Sequence, residues 1–153
     1  MANPNSTPFT NFNFAVEIRV EGVAEQICDA AFSECDGLEM TMDVKTIREG
    51  GNNGKQVRLT GPLNFGVVTL KRGMTESFDL WHWFNNMLLD PSLRANAEVV
   101  LLAENRDRRK PRARFMLSRC VPVKLKAPTL NAKDGTVAIE ELQLAYESLS
   151  LKQ

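Results

Sequence analysis

Apolar residues recur at every second position over much of this chain and at helical spacing in one stretch. Phe12, Phe14, Val16, Ile18 and Val20 alternate with Asn13, Ala15, Glu17 and Arg19, the period of a strand with one buried face. Glu21-Gly22 turns the chain, and a second strand is expected from about Ile27 to Cys35. Asp36-Gly37 leads into a third, where Leu38, Met40, Met42 and Val44 alternate with Glu39, Thr41, Asp43 and Lys45. Val57 and Leu59 lie on a returning strand, so residues 38–59 read as an extended hairpin tipped by the glycine-rich stretch Arg48 to Lys55. A phosphate cradle would need GxxxxGK[ST] and a following helix, and the stretch has neither.

Val67 to Lys71 is another strand, stopped by Gly73, after which Thr75 is placed to cap a helix over residues 76–89. Glu76 and Asp79 fall where the helix N-terminus favours negative charge. Phe78, Leu80, Trp81, Trp83, Phe84, Met87 and Leu88 cover more than half of its circumference, leaving Asp79, His82 and Asn86 as a narrow polar stripe. One sheet cannot bury so wide an arc, so either the chain's own loops or a second protein surface covers the excess.

Beyond Asp90-Pro91 the pattern returns to strands. Glu98 to Glu104 is short and apolar, and residues 105–112 form a basic turn. In the long strand that follows, Phe115, Leu117, Val121, Val123 and Leu125 share a phase with Arg119 as the odd member, and Pro122 points to an edge or a bulge. Between Val137 and Leu151 the apolar phase changes, which a bulge at Glu140-Glu141 would reconcile. Many strands around a single helix predict a mainly β fold: two packed antiparallel sheets, sandwich or barrel, with one flanking helix and an extended β-hairpin. The chain reads as one domain, with residues 1–11 as a flexible N-terminal arm.

With 153 residues, 43% of them apolar, and 19 basic against 19 acidic side chains, the chain can bury a core but carries no net field toward nucleic acid or membrane. The start MANPNSTPFT has no signal-peptide pattern and no stretch has transmembrane length, so cytoplasmic synthesis without a membrane anchor is expected. Cys28, Cys35 and Cys120 offer no CxxC pair, which leaves them as small core or half-buried residues. His82, the lone histidine, sits between two tryptophans, an unfavourable place for a catalytic base. Glu140 and Glu141 would point to opposite faces of a regular strand and so cannot share a glycosidase site. The basic turn lacks interleaved aromatics and reads as a solvated hairpin tip, or one meeting an acidic neighbour, in preference to a nucleic-acid site. No catalytic residue, cofactor site or metal site is assigned.

The segments FNFAVEIRVEG (12–22), AFSECDGLEM (31–40), VKTIREGG (44–51), VTLKRGMTESFDLWHW (68–83) and VAIEELQLAYESL (137–149), in this order and spacing, resemble the tail-tube family of contractile phages and bacterial contractile injection systems. The resemblance spans nearly the whole chain. It implies a structural, non-enzymatic subunit that assembles with itself into hexameric rings, stacked as a hollow conduit inside a contractile sheath. Baseplate or spike proteins and a tail terminator would close its ends, and the lumen would carry protein or DNA cargo. Arg48, Glu49, Gly50, Gly51 and Lys55 would form the inter-subunit hairpin tip. Glu76, Asp79 and His82 would face the sheath, and Glu39, Asp43 and Lys45 are candidates for the lumen wall. A type VI secretion-like tube or a tail-completion protein is the near alternative, and a monomeric ligand-binding β-sandwich the distant one.

Overall fold

Strand-forming sequence dominates the computed structural model, which describes residues 13–23, 26–30, 32–51, 54–102 and 111–152. The elements run β1 (Phe14–Val20), β2 (Gln26–Ala30), β3 (Glu34–Asp36), β4 (Met40–Arg48), β5 (Gln56–Phe65), β6 (Val67–Gly73), α1 (Asp79–Leu89), β7 (Ala95–Leu102), β8 (Pro111–Lys126), β9 (Ile139–Ala145) and β10 (Ser148–Lys152). The expected arm lies outside the described residues, as does most of the basic turn, of which Pro111 and Arg112 begin β8.

The strands pair antiparallel in the order β2-β1-β7-β8-β9-β6-β3, with β10 also on β8. The long β8 makes this arrangement two-layered. Its first half pairs with β7 and β10, and its second half with β9. Between the halves Arg119 adopts φ +51°, rare for a residue with a side chain. This kink resets the inward phase. Ala113 and Leu117 point inward before it and Cys120 and Pro122 after it, while Val123, expected in the buried phase, is exposed. Pro122 sits in an interior strand, tolerated because the register with β9 slips between Pro122 and Lys124.

The two layers share one core. Val16 and Ile18 of β1, Ala97 and Val99 of β7, Val68 and Leu70 of β6, and Leu142 and Leu144 of β9 belong to a single buried cluster, closed on one side by Leu80 and Trp83 of α1. The sheet does not close into a barrel, since β2 and β3 end the path without pairing to each other.

Several sequence-based boundaries move. The strand expected over Ile27 to Cys35 is two strands in different layers. The strand expected over Val137 to Leu151 is also two, β9 and β10, broken at Tyr146-Glu147. The β6–β9 register runs without a shift through Glu140 and Glu141, so no bulge lies there. The helix begins at Asp79 with Phe78 at its N-cap position and no side-chain cap, and Thr75 instead accepts the Ser77 N–H (3.3 Å). Its wide apolar arc is unevenly covered. Leu80 and Trp83 are buried, Trp81, Phe84 and Met87 half-buried, and Phe78, Leu88 and Leu89 exposed.

Candidate assembly interface

The hairpin β4–β5 is a separate two-stranded sheet that projects from this core. Alternation along β4 predicted one buried face, yet every residue of β4 is exposed, and β5 is exposed at all positions but Gly61 and Phe65. Met40, Met42, Val44, Ile47, Val57, Leu59 and Leu63 remain between 41% and 59% exposed. So much exposed apolar surface on both strands is unusual for a protomer that stands alone.

The root of the hairpin is fixed by Gly37 and Tyr146. Gly37 takes φ +98° and lies so close to the Val67 carbonyl that a Cβ would overlap it. The buried Tyr146 hydroxyl donates to the Gly37 carbonyl (2.9 Å) and accepts the Glu39 N–H (3.1 Å), while its ring meets Phe65 at 5.7 Å. The exit direction of β4 and the return of β5 are thereby tied to the end of β9.

Along the hairpin, Asp43 accepts a hydrogen bond from the Asn64 amide (3.0 Å), Lys45 pairs across the ladder with Leu59, and Glu39 lies against Gly66 at the root. All three lumen candidates are exposed. At the tip, Arg48, Glu49, Gly50, Gly51 and Lys55 are exposed as well, and Gly51 uses the left-handed conformation at φ +97°.

The helix surface is organised by a buried ionic network absent from the sequence-based reading. Arg72 (5% exposed) on β6 lies opposite Glu140 (1% exposed) on β9 and donates from Nε to Oε1 at 2.5 Å. The same guanidinium pairs with Asp79 at the start of α1, its carbon 5.6 Å from the centre of the Phe32 ring. Trp81 donates its indole N–H to the other Glu140 oxygen (3.1 Å). Arg72 shares a phase with Val68 and Leu70, and Glu140 with Leu142 and Leu144, so opposite charges in two buried phases were the available signal. Of the three helix-face candidates, Asp79 is thus held by Arg72 at the sheet, Glu76 precedes the helix, and His82 is exposed. His82 and Asn86 border a cleft of about 310 Å³ with Val20, Trp83 and Leu93.

Among the described residues no His, Cys, Asp and Glu cluster could hold a metal, and no helix is long and apolar enough to cross a membrane. Burial pushes the Cys120 thiol up to about 12 and, with Asp36 nearby, the Cys35 thiol to about 11.

A β-layered domain with a rooted, doubly exposed hairpin defines an assembly protein. Residues 10–150 match the family of T4-like virus tail tube protein gp19, and the chain belongs to that family. It is similar, at 30% identity over 96% of this chain and 97% of the other, to a chain in the six-fold symmetrised baseplate of the anti-feeding prophage, with a TM-score of 0.84. A chain of the PVC extracellular contractile injection system sheath-tube complex in its extended state shares the fold at 20% identity, covering 95% and 91% of the two chains, with a TM-score of 0.80. Hcp1 from Flavobacterium johnsoniae shares it more distantly, at 15% identity over 90% and 94% of the chains and a TM-score of 0.50. No curated protein matches the sequence. The chain is a structural tube subunit of a contractile phage tail or tail-like injection particle.

Proposed function

We propose that this subunit forms hexameric rings that stack into the inner conduit of a contractile injection particle, and that it does so without enzymatic activity of its own. The hairpin carries the reading, because a ribbon exposed on both faces with apolar residues in ladder register has no role in an isolated domain. Among the described residues its outer edges and those of β2 and β3 pair with no other strand, so they offer backbone donors and acceptors to neighbouring copies. Arg48, Glu49 and Lys55 at the tip would set register by charge, with Gly50 and Gly51 permitting close approach. Asp43 and Lys45, with Glu39, would line a hydrated lumen through which protein or DNA cargo slides.

The outer wall would carry α1, with Glu76, His82 and the cleft beside His82 and Asn86 meeting the sheath, and Asp79 setting the helix in place. A chain of the same fold is part of a sheath-tube complex, so a sheath is a fitting partner for the wall. Baseplate and terminator proteins would bound the tube, consistent with the similarity to a baseplate chain. Synthesis in the cytoplasm without membrane anchoring fits this route. Negative-stain electron microscopy of the purified full chain over a concentration series, with and without its sheath, tests the proposal. Six-fold rings or hollow tubes are expected. Monomers under every condition, together with saturable binding of a small molecule, would favour the ligand-binding sandwich instead.

A further inference from the structure

Helix α1 is held firmly in its first half and just after its end, and weakly between. In the first half Asp79 pairs with Arg72, Trp81 donates to Glu140, and Leu80 and Trp83 are buried in the core. Beyond Trp83 no side chain of the helix is buried. Phe84 and Met87 are half-buried, Asn85 and Asn86 are exposed, and Leu88 and Leu89 are 71% and 87% exposed. The turn that follows is fixed again. The Asp90 carboxylate accepts the Ser92 N–H (3.1 Å) and hydroxyl (2.6 Å), and Arg94 donates to the Pro91 and Leu93 carbonyls (both 2.9 Å). The Arg94 carbonyl accepts the Glu21 N–H (2.9 Å), which ties this turn to the end of β1.

The cleft of about 310 Å³ runs along one flank of the helix, because Asp79, His82, Trp83 and Asn86, spaced by three or four residues, all line it opposite Val20 and Leu93. Open space on that flank means contacts that are not made. In the same wall the buried indole N–H of Trp83 meets no acceptor among the described residues, an uncompensated polar group where the clamped half ends. Eleven residues are too few for a helix to hold in water by itself, so its stability comes from the face it packs. Residues 84–89 pack little, and Asn85 and Asn86 are weak helix formers.

We infer that α1 is two cooperative units, a clamped half that ends at Trp83 and a span, residues 84–89, that opens and recloses while the sheet and the first half stay folded. Opening widens the cleft beside Val20 and Leu93 and lets solvent reach the Trp83 indole. The fixed turn at residues 90–94 tethers the far end, so the span is a gate on the cleft and not a frayed terminus. The device lies within one protomer and stands whether or not the chain builds a tube.

Hydrogen exchange of the full chain in dilute solution, resolved by residue with nuclear magnetic resonance, tests this. The amides of residues 87–90 are expected to exchange at least about a hundredfold faster than those of Ile18 and Leu144 in the core strands, with His82 and Trp83 clearly slower than the span. Asn85→Gly with Asn86→Gly should speed the span about threefold. Asn85→Glu with Leu89→Lys should slow it about twofold through a pair one turn apart. In both variants the backbone amides of His82 and Trp83 keep their rates, while the Trp83 indole N–H changes by the same factor as the span. Equal protection along the whole helix, or variants that shift His82 and Trp83 as much as residues 87–90, would overturn the division, because α1 would then open as one unit. An indole rate indifferent to both variants would overturn the gate.

Discussion

Arg72 shows how one side chain links the sheet to the outer surface. Its guanidinium is buried against Glu140 and paired with Asp79, so it joins β6, β9 and the first turn of α1 at one point. Removing one partner of a buried ion pair leaves the remaining charge without compensation. Arg72→Met is therefore expected to destabilise the protomer by about 3–5 kcal/mol, read by urea denaturation. Adding Glu140→Gln should restore part of that loss, and a cost below about 1 kcal/mol for the single change would refute a structural role. The two thiols respond chiefly to burial, with Asp36 adding to the upward shift at Cys35. Cys120, raised in the folded state from 9.0 to about 12, contributes stability that is fully present below pH 9 and is lost as pH rises toward 12. At pH 8 native Cys120 should resist iodoacetamide, with alkylation appearing on unfolding; equal labelling in both states would contradict the burial.

Elements were legible where one face alone is buried in the protomer. β1 declares itself through Val16, Ile18 and Val20, all of which point into the core. Patterning failed where the backbone changes phase. Arg119 resets β8 by a positive φ that no propensity favours, and Glu140 kept the inward phase of β9 because Arg72 neutralises it, not because the strand bulges. The helix start was misplaced because Asp79, read as a surface charge, anchors the first turn to Arg72 in place of a Thr75 cap. The hairpin strands were legible but their surroundings were not, since alternation reports that a face will be covered without saying by which chain. Glycines at the two ends of the hairpin separate these contributions. Gly37→Ala must overcome both φ +98° and the Val67 carbonyl and should cost about 1–3 kcal/mol in thermal or urea unfolding. Gly50→Ala has open space around it and should stay within about 0.5 kcal/mol of the parent. Equal costs at both positions would show that the root is not the rigid point.

At the scale of the whole molecule, the core supports a domain whose apolar hairpin is left exposed by the protomer itself. Exposed Leu88 and Leu89 at the end of α1 add to that unmet surface on the helix side. A subunit built this way should gain protection in specific places as it assembles, and the hairpin tip is the most informative, because Arg48, Lys55 and Arg58 are all exposed trypsin sites. Free protomers should release fragments cut between residues 48 and 58 early in a limited digest, since the described residues of the tip are exposed in the protomer. In assembled tubes those cuts should be slowed far more than cleavage at sites outside the contacts. Mass spectrometry assigns each cut and separates the tip from the basic stretch at residues 106–112. Tubes that lose the tip as fast as protomers would show that the hairpin hangs free in the wall, and a contact between rings would then have to come from another surface.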